Sequence, residues 1–268
     1  MGARVKEPVA REREFYDAWA GRVDPEKIKV EQYFEASTCP ENRYLLKSMG
    51  DIRGASILEL GCGAGENSVY FSLMGANCLA SDCSEGMLEL VQSLASRYQV
   101  KLKTQVMDAM DIPYPDNHFD FVYTANTLHH VDFEMATREI HRVLRKDGKL
   151  LSWDPLRHNP VINIYRRMAT KVRTADEKPL DINVVAKLKR LFSRVEYDTF
   201  WLATLWLFIC FFLVEKIHPN DEPYWKKIVT DEPRLRARYL KLERIDKFLK
   251  KLGFLKRFAW NIAIVATK

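Results

Sequence analysis

The stretch Ile57-Leu58-Glu59-Leu60-Gly61-Cys62-Gly63-Ala64-Gly65-Glu66 constrains this chain more than any other. An apolar run ends beside an acidic residue, three alternate glycines follow, and a helical pattern opens at Glu66. A run of that length, bounded by turn signals, reads as a buried strand. Glycines at its end let the chain turn tightly and bring backbone N–H groups against a ligand. The helix that follows directs its positive end at the same place, which favours an anionic group. The spacing does not match the dinucleotide fingerprint, whose third glycine would fall at Glu66 or Ser68.

The surrounding rhythm extends this unit into a layered α/β fold. Strands are expected at 56–60, 77–80, 101–107, 119–125 and 149–153. Helices are expected at 66–74, from a Ser84 cap to Arg97, and at 132–144, the last closed by the stop signal Lys146-Asp147-Gly148. Such alternation calls for a mostly parallel sheet with helices on both faces. Later come a helix at 180–192, a strand at 194–199, a basic amphipathic helix at 233–252 and a last strand at 260–266. The long helix carries Leu235, Tyr239, Leu242, Ile245, Leu249 and Leu252 at helical spacing. Before the core, 11–21 reads as helical. Thr38, Pro40 and Glu41 read as the cap, early proline and capping-box acid of a helix reaching Met49. With 268 residues, 47% of them apolar, a sizeable core can be buried.

Candidate polar residues fall at strand ends, where open α/β sheets bind ligands. Asp82 ends the second strand and Asp108 the third. His129 and His130 follow the fourth. Either could serve as a general base there, and His130 is the favoured one. Asp154 and His158 are weaker candidates, Asp154 also serving as a loop cap. Tyr16 and Trp19 are placed either to close over a ligand or to pack in the core.

The segment 59–65 resembles motif I of class I methyltransferases dependent on S-adenosylmethionine (SAM). Asp82 resembles the acidic end of their second strand, and Met107-Asp108-Ala109 their adenine contact. Residues 119–131, Phe-Asp-Phe-Val-Tyr-Thr-Ala-Asn-Thr-Leu-His-His-Val, resemble motif IV, and 139–148 the helix and turn after it. The likeness covers roughly 55–155 and is similar to the small-molecule branch that includes quinone-biosynthetic enzymes. It implies a Rossmann-like class I methyltransferase fold with a seven-stranded sheet, a helical lid over 1–53 and insertions at about 156–180 and 200–252. It implies SAM as cofactor and S-adenosylhomocysteine as product. The implied cofactor contacts are Tyr16, Glu59, Gly61, Cys62, Gly63, Gly65, Asp82, Cys83, Met87, Asp108, Ala109 and Asn126. The implied catalytic group is His130, with His129 and Asp154. Trp153-Asp154-Pro155 departs from the Glu-Pro often found in relatives and leaves the acceptor contacts open.

Acceptor specificity then falls to the additions. The insertion carries Arg157, His158, Tyr165, Arg166, Arg167, Lys171 and Arg173, either a solvated surface or a site for an anionic head group. Residues 200–214 are uncharged, yet shorter than a membrane span. They read as buried packing, an interfacial helix or the wall of a lipophilic pocket. The basic helix after them suits an anionic membrane surface. The reading is a cytoplasmic methyltransferase, peripheral to a membrane, acting on a small or lipid-like acceptor. Five cysteines without Cys-x-x-Cys pairing or zinc spacing, and no apolar leader, fit a reducing compartment and no metal. The net charge of +6 permits RNA or protein methylation as an alternative. No nucleic-acid-binding module supports it. A non-catalytic SAM-binding protein is the other alternative.

Overall fold

Five strands run parallel: β1 (Ser56–Leu60), β2 (Asn77–Asp82), β3 (Lys103–Val106), β4 (Phe119–Ala125) and β5 (Leu144–Pro155). Two more, β6 (Arg194–Phe200) and β7 (Asn261–Thr267), join antiparallel. The sheet order is β3-β2-β1-β4-β5-β7-β6, the Rossmann-like class I arrangement expected. The computed structural model describes residues 6–173 and 177–268. The expectations for residues 1–5 and for 174–176 of the insertion lie outside the described residues.

Helices α1 (Lys6–Ala20), α2 (Gln32–Glu35) and α3 (Pro40–Met49) precede the sheet. Within it come α4 (Glu66–Leu73), α5 (Glu85–Arg97) and α6 (Phe133–Val143). After β5 follow α7 (Pro160–Met168), α8 (Val184–Leu188), α9 (Trp206–Leu213), α10 (Tyr224–Thr230) and α11 (Glu232–Leu249). Strand side chains alternate between two packed faces. Leu58, Val122, Leu150 and Ile264 meet Ile140 of α6 and Leu188 of α8. Ile57, Tyr123, Leu151 and Val265 meet Leu45 of α3 and Phe71 of α4. Each such buried side chain contributes about 1.5–3 kcal/mol.

A third cluster stands apart from the sheet. Tyr165, Trp201, Phe208, Phe211, Tyr224 and Tyr239 pack ring against ring. Ala36 and Cys39 join them from the N-terminal part. Ser37 Oγ donates to Glu232 at 2.6 Å, and Thr38 Oγ1 to the Ile228 carbonyl at 2.6 Å. The segment before β1 and the helices after β6 are therefore fastened into one cap. The apolar 200–214 segment is half buried here. Leu207, Phe208 and Phe211 face inward, while Trp206, Leu213 and Val214 are exposed.

Four local expectations change, each for a tertiary reason. Thr38 does not cap α3; Cys39 occupies that position without a side-chain bond, because the Thr38 hydroxyl serves Ile228. Glu41 is buried and accepts from Asn261 Nδ2 at 2.7 Å instead of closing a capping box. The stop at 146–148 is a kink within β5. Asp147 takes the left-handed conformation (φ 63°). A Cβ on Gly148 would lie 3.0 Å from the Asp120 carbonyl. The helix expected at 180–192 shrinks to Val184–Leu188. Leu180 is drawn into a bridge with Leu156, and Asp181 bonds His158 and the Asn183 N–H.

Candidate functional site

The turn after β1 is built by steric necessity. Gly61, Gly63 and Gly65 all have positive φ (67°, 52° and 89°), a region costly for side-chain-bearing residues. A Cβ on Gly61 would meet Thr127 Oγ1 at 2.3 Å, and one on Gly65 would meet Val91 at 2.8 Å. At Gly63 nothing lies within 4 Å; that side faces the cavity. Asp82, 8% exposed at the end of β2, closes the turn. Its Oδ2 accepts from the Gly63 N–H and its Oδ1 from the Ser84 N–H, both at 3.0 Å. Ser84 caps α5 by accepting from the Met87 N–H. It also donates to Asp17 of α1 at 2.5 Å, and Asp17 accepts from the Gly86 N–H as well. Helix α1 is thereby pinned across the carboxyl edge of the sheet.

A cavity of about 650 Å³ opens there. At one end lie Gly61, Cys62, Gly63, Asp82, Cys83 and Met87. Asp108, Ala109 and Asn126 continue the wall, and Tyr16 and Trp19 cover it from α1. Of the expected cofactor contacts, Glu59 and Gly65 do not line it. Period-two alternation turns Glu59 toward α4, where Asn67 Nδ2 donates to one oxygen at 2.8 Å and Ser68 Oγ to the other. Burial raises its pKa to about 8. Gly65 meets Val91 on the protein side.

The other end holds two histidines. His129 Nδ1 lies 2.8 Å from Asp154 Oδ1, which also accepts the His129 N–H at 3.1 Å. Ser152 Oγ donates to the second oxygen at 3.0 Å. Asp154 is fully buried and does not reach the cavity; it acts on the ring, not on a ligand. Burial raises the Asp154 carboxyl to about 7 and, with His130 and the nearby guanidiniums of Arg173 and Arg166, pushes His129 well below the ordinary histidine range. His130 Nδ1 contacts Glu12 Oε1 at 3.1 Å, and the Tyr16 ring meets it edge-on. Both histidines line the cavity. His158 does not; it pairs with Asp181 at 2.8 Å.

Glu12, Glu177, Trp225 and Lys226, which no motif or spacing pointed to, also line the cavity. Glu177 pairs there with Arg173. Trp153, Trp201 and Trp260 complete an aromatic wall. Lys226 Nζ sits 5.0 Å from the Trp19 ring centre, a cation–π contact.

The first end of the cavity fits SAM. The cradle beside Gly63 admits a backbone-bound carboxylate, Asp82 offers acceptor oxygens for ribose hydroxyls, and Met87, Met107 and Ala109 supply apolar surface for a base.

Residues 58–152 match a family described as methyltransferase domain. An uncharacterized methyltransferase of Bacillus subtilis, YcgJ, is 31% identical over 120 residues, which is 44% of this chain and 47% of that protein. Demethylmenaquinone methyltransferase of Staphylococcus aureus is 32% identical over 129 residues, 46% and 52% of the two chains. The chain spans about half the length of the curated relatives it matches. The crystal structure of YcgJ aligns with TM-score 0.50 and 25% identity over 60% of this chain and 70% of that one. A putative methyltransferase of Haloferax volcanii, solved with its Trm112 activator, aligns with TM-score 0.58 over 95% and 96% of the chains. At 15% identity that likeness speaks to the fold alone.

Proposed function

We propose that this chain, which carries a class I methyltransferase domain with SAM as its cofactor, methylates a small lipophilic acceptor with His129 as general base. The observation that carries the reading is one continuous cavity. It joins the Gly63–Asp82 cradle to a histidine backed by a buried carboxyl group and to an aromatic wall.

SAM supplies an electrophilic methyl group on a sulfonium. The protein's part is to hold an acceptor in line with it and to take a proton. Positioning of this kind lowers barriers by roughly 7–11 kcal/mol. With Asp154 ionised, the ring donates from Nδ1 and Nε2 keeps a lone pair for the acceptor's proton. Asp154 thus fixes the tautomer and stabilises the imidazolium formed. Adding a proton to the pair, on either member, removes that base. Transfer should therefore rise with pH through neutrality and fall below about pH 7, following the raised Asp154 carboxyl.

His129→Ala is expected to lower kcat by about 10²–10⁴-fold, and Asp154→Asn in the same direction, with S-adenosylhomocysteine affinity retained. Steady-state methyl transfer and calorimetry check this. A His129→Ala enzyme with wild-type kcat would remove the base. If His130→Ala alone lost the rate, the role would pass to His130.

A peripheral membrane position is part of the same reading. Trp206 and Leu213 on α9, Val214 just after it and Phe248 on α11 are all more than half exposed, and α11 carries Arg234, Arg236, Arg238, Lys241, Arg244 and Lys247. Apolar side chains in water beside a basic helix suit an anionic bilayer surface.

A further inference from the structure

We infer that the acceptor carries an anionic group, a phosphate or a carboxylate, held by Arg166 together with Arg173 at the histidine end of the cavity. This rests on the methyl-transfer reading and narrows its substrate.

The inference begins with the pairing of cations. Several of the described guanidiniums meet a carboxylate. Arg142 meets Glu139 and Asp116, Arg234 meets Glu215 and Asp231, and Arg145 meets Asp120. Arg166 lines the cavity, and among the described residues it has no ion pair. Its Nη1 donates to Asn163 Oδ1 at 2.8 Å and its Nη2 to the Leu156 carbonyl at 3.0 Å. Those two neutral bonds fix the plane of the fork and leave three of its five N–H groups for something else. Arg173 also lines the cavity, bonded to Glu177.

The two cations are close enough to repel. Burial and the charge of Arg173 together lower the Arg166 pKa to about 9, and both guanidiniums depress His129. A positively charged side chain in a low-dielectric wall is costly without a counter-charge. Arg173 has Glu177 as its counter-charge and Arg166, among the described residues, has none; an anion on the free N–H groups of Arg166, beside Arg173, supplies it in the planar geometry that arginine prefers. The other insertion cations do not share the site. Arg157 reaches Asp181 at 3.9 Å, and Arg167 and Lys171 are exposed. The anion would sit beside the base, with the apolar remainder of the acceptor against Trp201, Trp260 and Ile162.

A cation is the competing occupant. His129, His130 and Glu177 bring possible ligand atoms within 4.8 Å of one another, and each histidine has a carboxylate behind its Nδ1. The field opposes it: Glu177 is already neutralised by Arg173, and Arg166 adds uncompensated positive charge.

The test is calorimetry on the full chain saturated with S-adenosylhomocysteine. Decyl phosphate, decanoate and decanol, below micellar concentrations, are compared with inorganic phosphate alone. Decyl phosphate or decanoate is expected to bind about tenfold or more tighter than decanol, the scale of one charge-assisted hydrogen bond. The gap should collapse in Arg166→Gln while S-adenosylhomocysteine affinity stays unchanged. Competition by inorganic phosphate at low concentration would identify free phosphate as a source; its failure to compete would mark the tail as necessary. Equal binding of decanol and the two anions, or a gap that survives Arg166→Gln, overturns the inference and leaves the lipophilic acceptor standing. No binding of any decyl probe overturns both. If Arg166→Gln does not fold, Arg166→Lys keeps the charge but gives up the fixed fork, and a reduced gap is expected. Stoichiometric Zn²⁺ binding that is lost in His129→Ala would instead establish the cation and overturn the anion.

Discussion

Glu59 is a carboxyl with almost no water around it, 1% exposed and held by Asn67 and Ser68. An unfolded glutamate ionises near its ordinary value, whereas burial delays the folded one to about 8. Below the ordinary value both states are protonated and the penalty vanishes. As pH rises through that window the unfolded chain gains a charge the folded one resists, so stability declines. Glu41, raised to about 7 by burial, adds to the same trend. Glu59→Gln removes the larger of the two shifts. The melting temperature of the wild type should fall between pH 5 and 8, and the variant should show a shallower fall, about 2–4 °C less for each kcal/mol relieved. Parallel slopes in scanning calorimetry would show that Glu59 is not the group responsible.

At the scale of elements, the cap hangs on few polar anchors. Asp246 of α11, 5% exposed, accepts from the Leu202 and Ala203 N–H groups and from Thr204 Oγ1. It fastens the 3-10 turn Ala203–Leu205 that leads into α9. Asp246→Ala leaves those buried donors unmet and should lower unfolding stability by about 2–3 kcal/mol, the cost of losing hydrogen bonds to a charged group. Urea denaturation reads it, and a change within 0.5 kcal/mol, the scatter of a surface substitution, would contradict the account. This anchor was illegible in the sequence, where 233–252 showed only an apolar stripe. Ile245 of that stripe is exposed, Leu252 lies beyond the helix end at Leu249, and the inward side of the turn at Ile245 is taken by Asp246. Periodicity reports that a helix has an inner face, not where along its length the face ends. The sheet was far more legible. β4 lies at Phe119–Ala125 as expected and Ser84 caps α5 as expected, because a strand buried on both faces and a cap bonded three residues on are local facts. Thr38 and Glu41 misled because their partners, Ile228 and Asn261, are 190 and 220 residues away. His129 and His130 were visible as a pair, but only the fold puts the Asp154 carboxylate behind the first.

For the molecule as a whole, the proposed reading puts the methyl donor at the sheet's edge and the acceptor under the cap. The aromatic cluster and the exposed side of α9 lie on that cap. Among the described residues no helix is long and apolar enough to cross a membrane. Attachment, if it comes through α9 and α11, is to the surface and partly electrostatic. Sedimentation with anionic vesicles should carry the protein down at low salt and release it as salt screens the basic helix. Neutral vesicles should bind less. Equal partition to both at all salt concentrations would leave α11 without that role.

On the proposed reading the Gly63–Asp82 cradle holds the methyl donor. Calorimetry with S-adenosylhomocysteine tests it most directly, comparing wild type with Asp82→Ala and using thermal melts to verify that the variant folds. Removing a charged acceptor should weaken binding by about 10- to 150-fold. Binding unchanged by the substitution, or absent from the folded wild-type protein, would contradict the account.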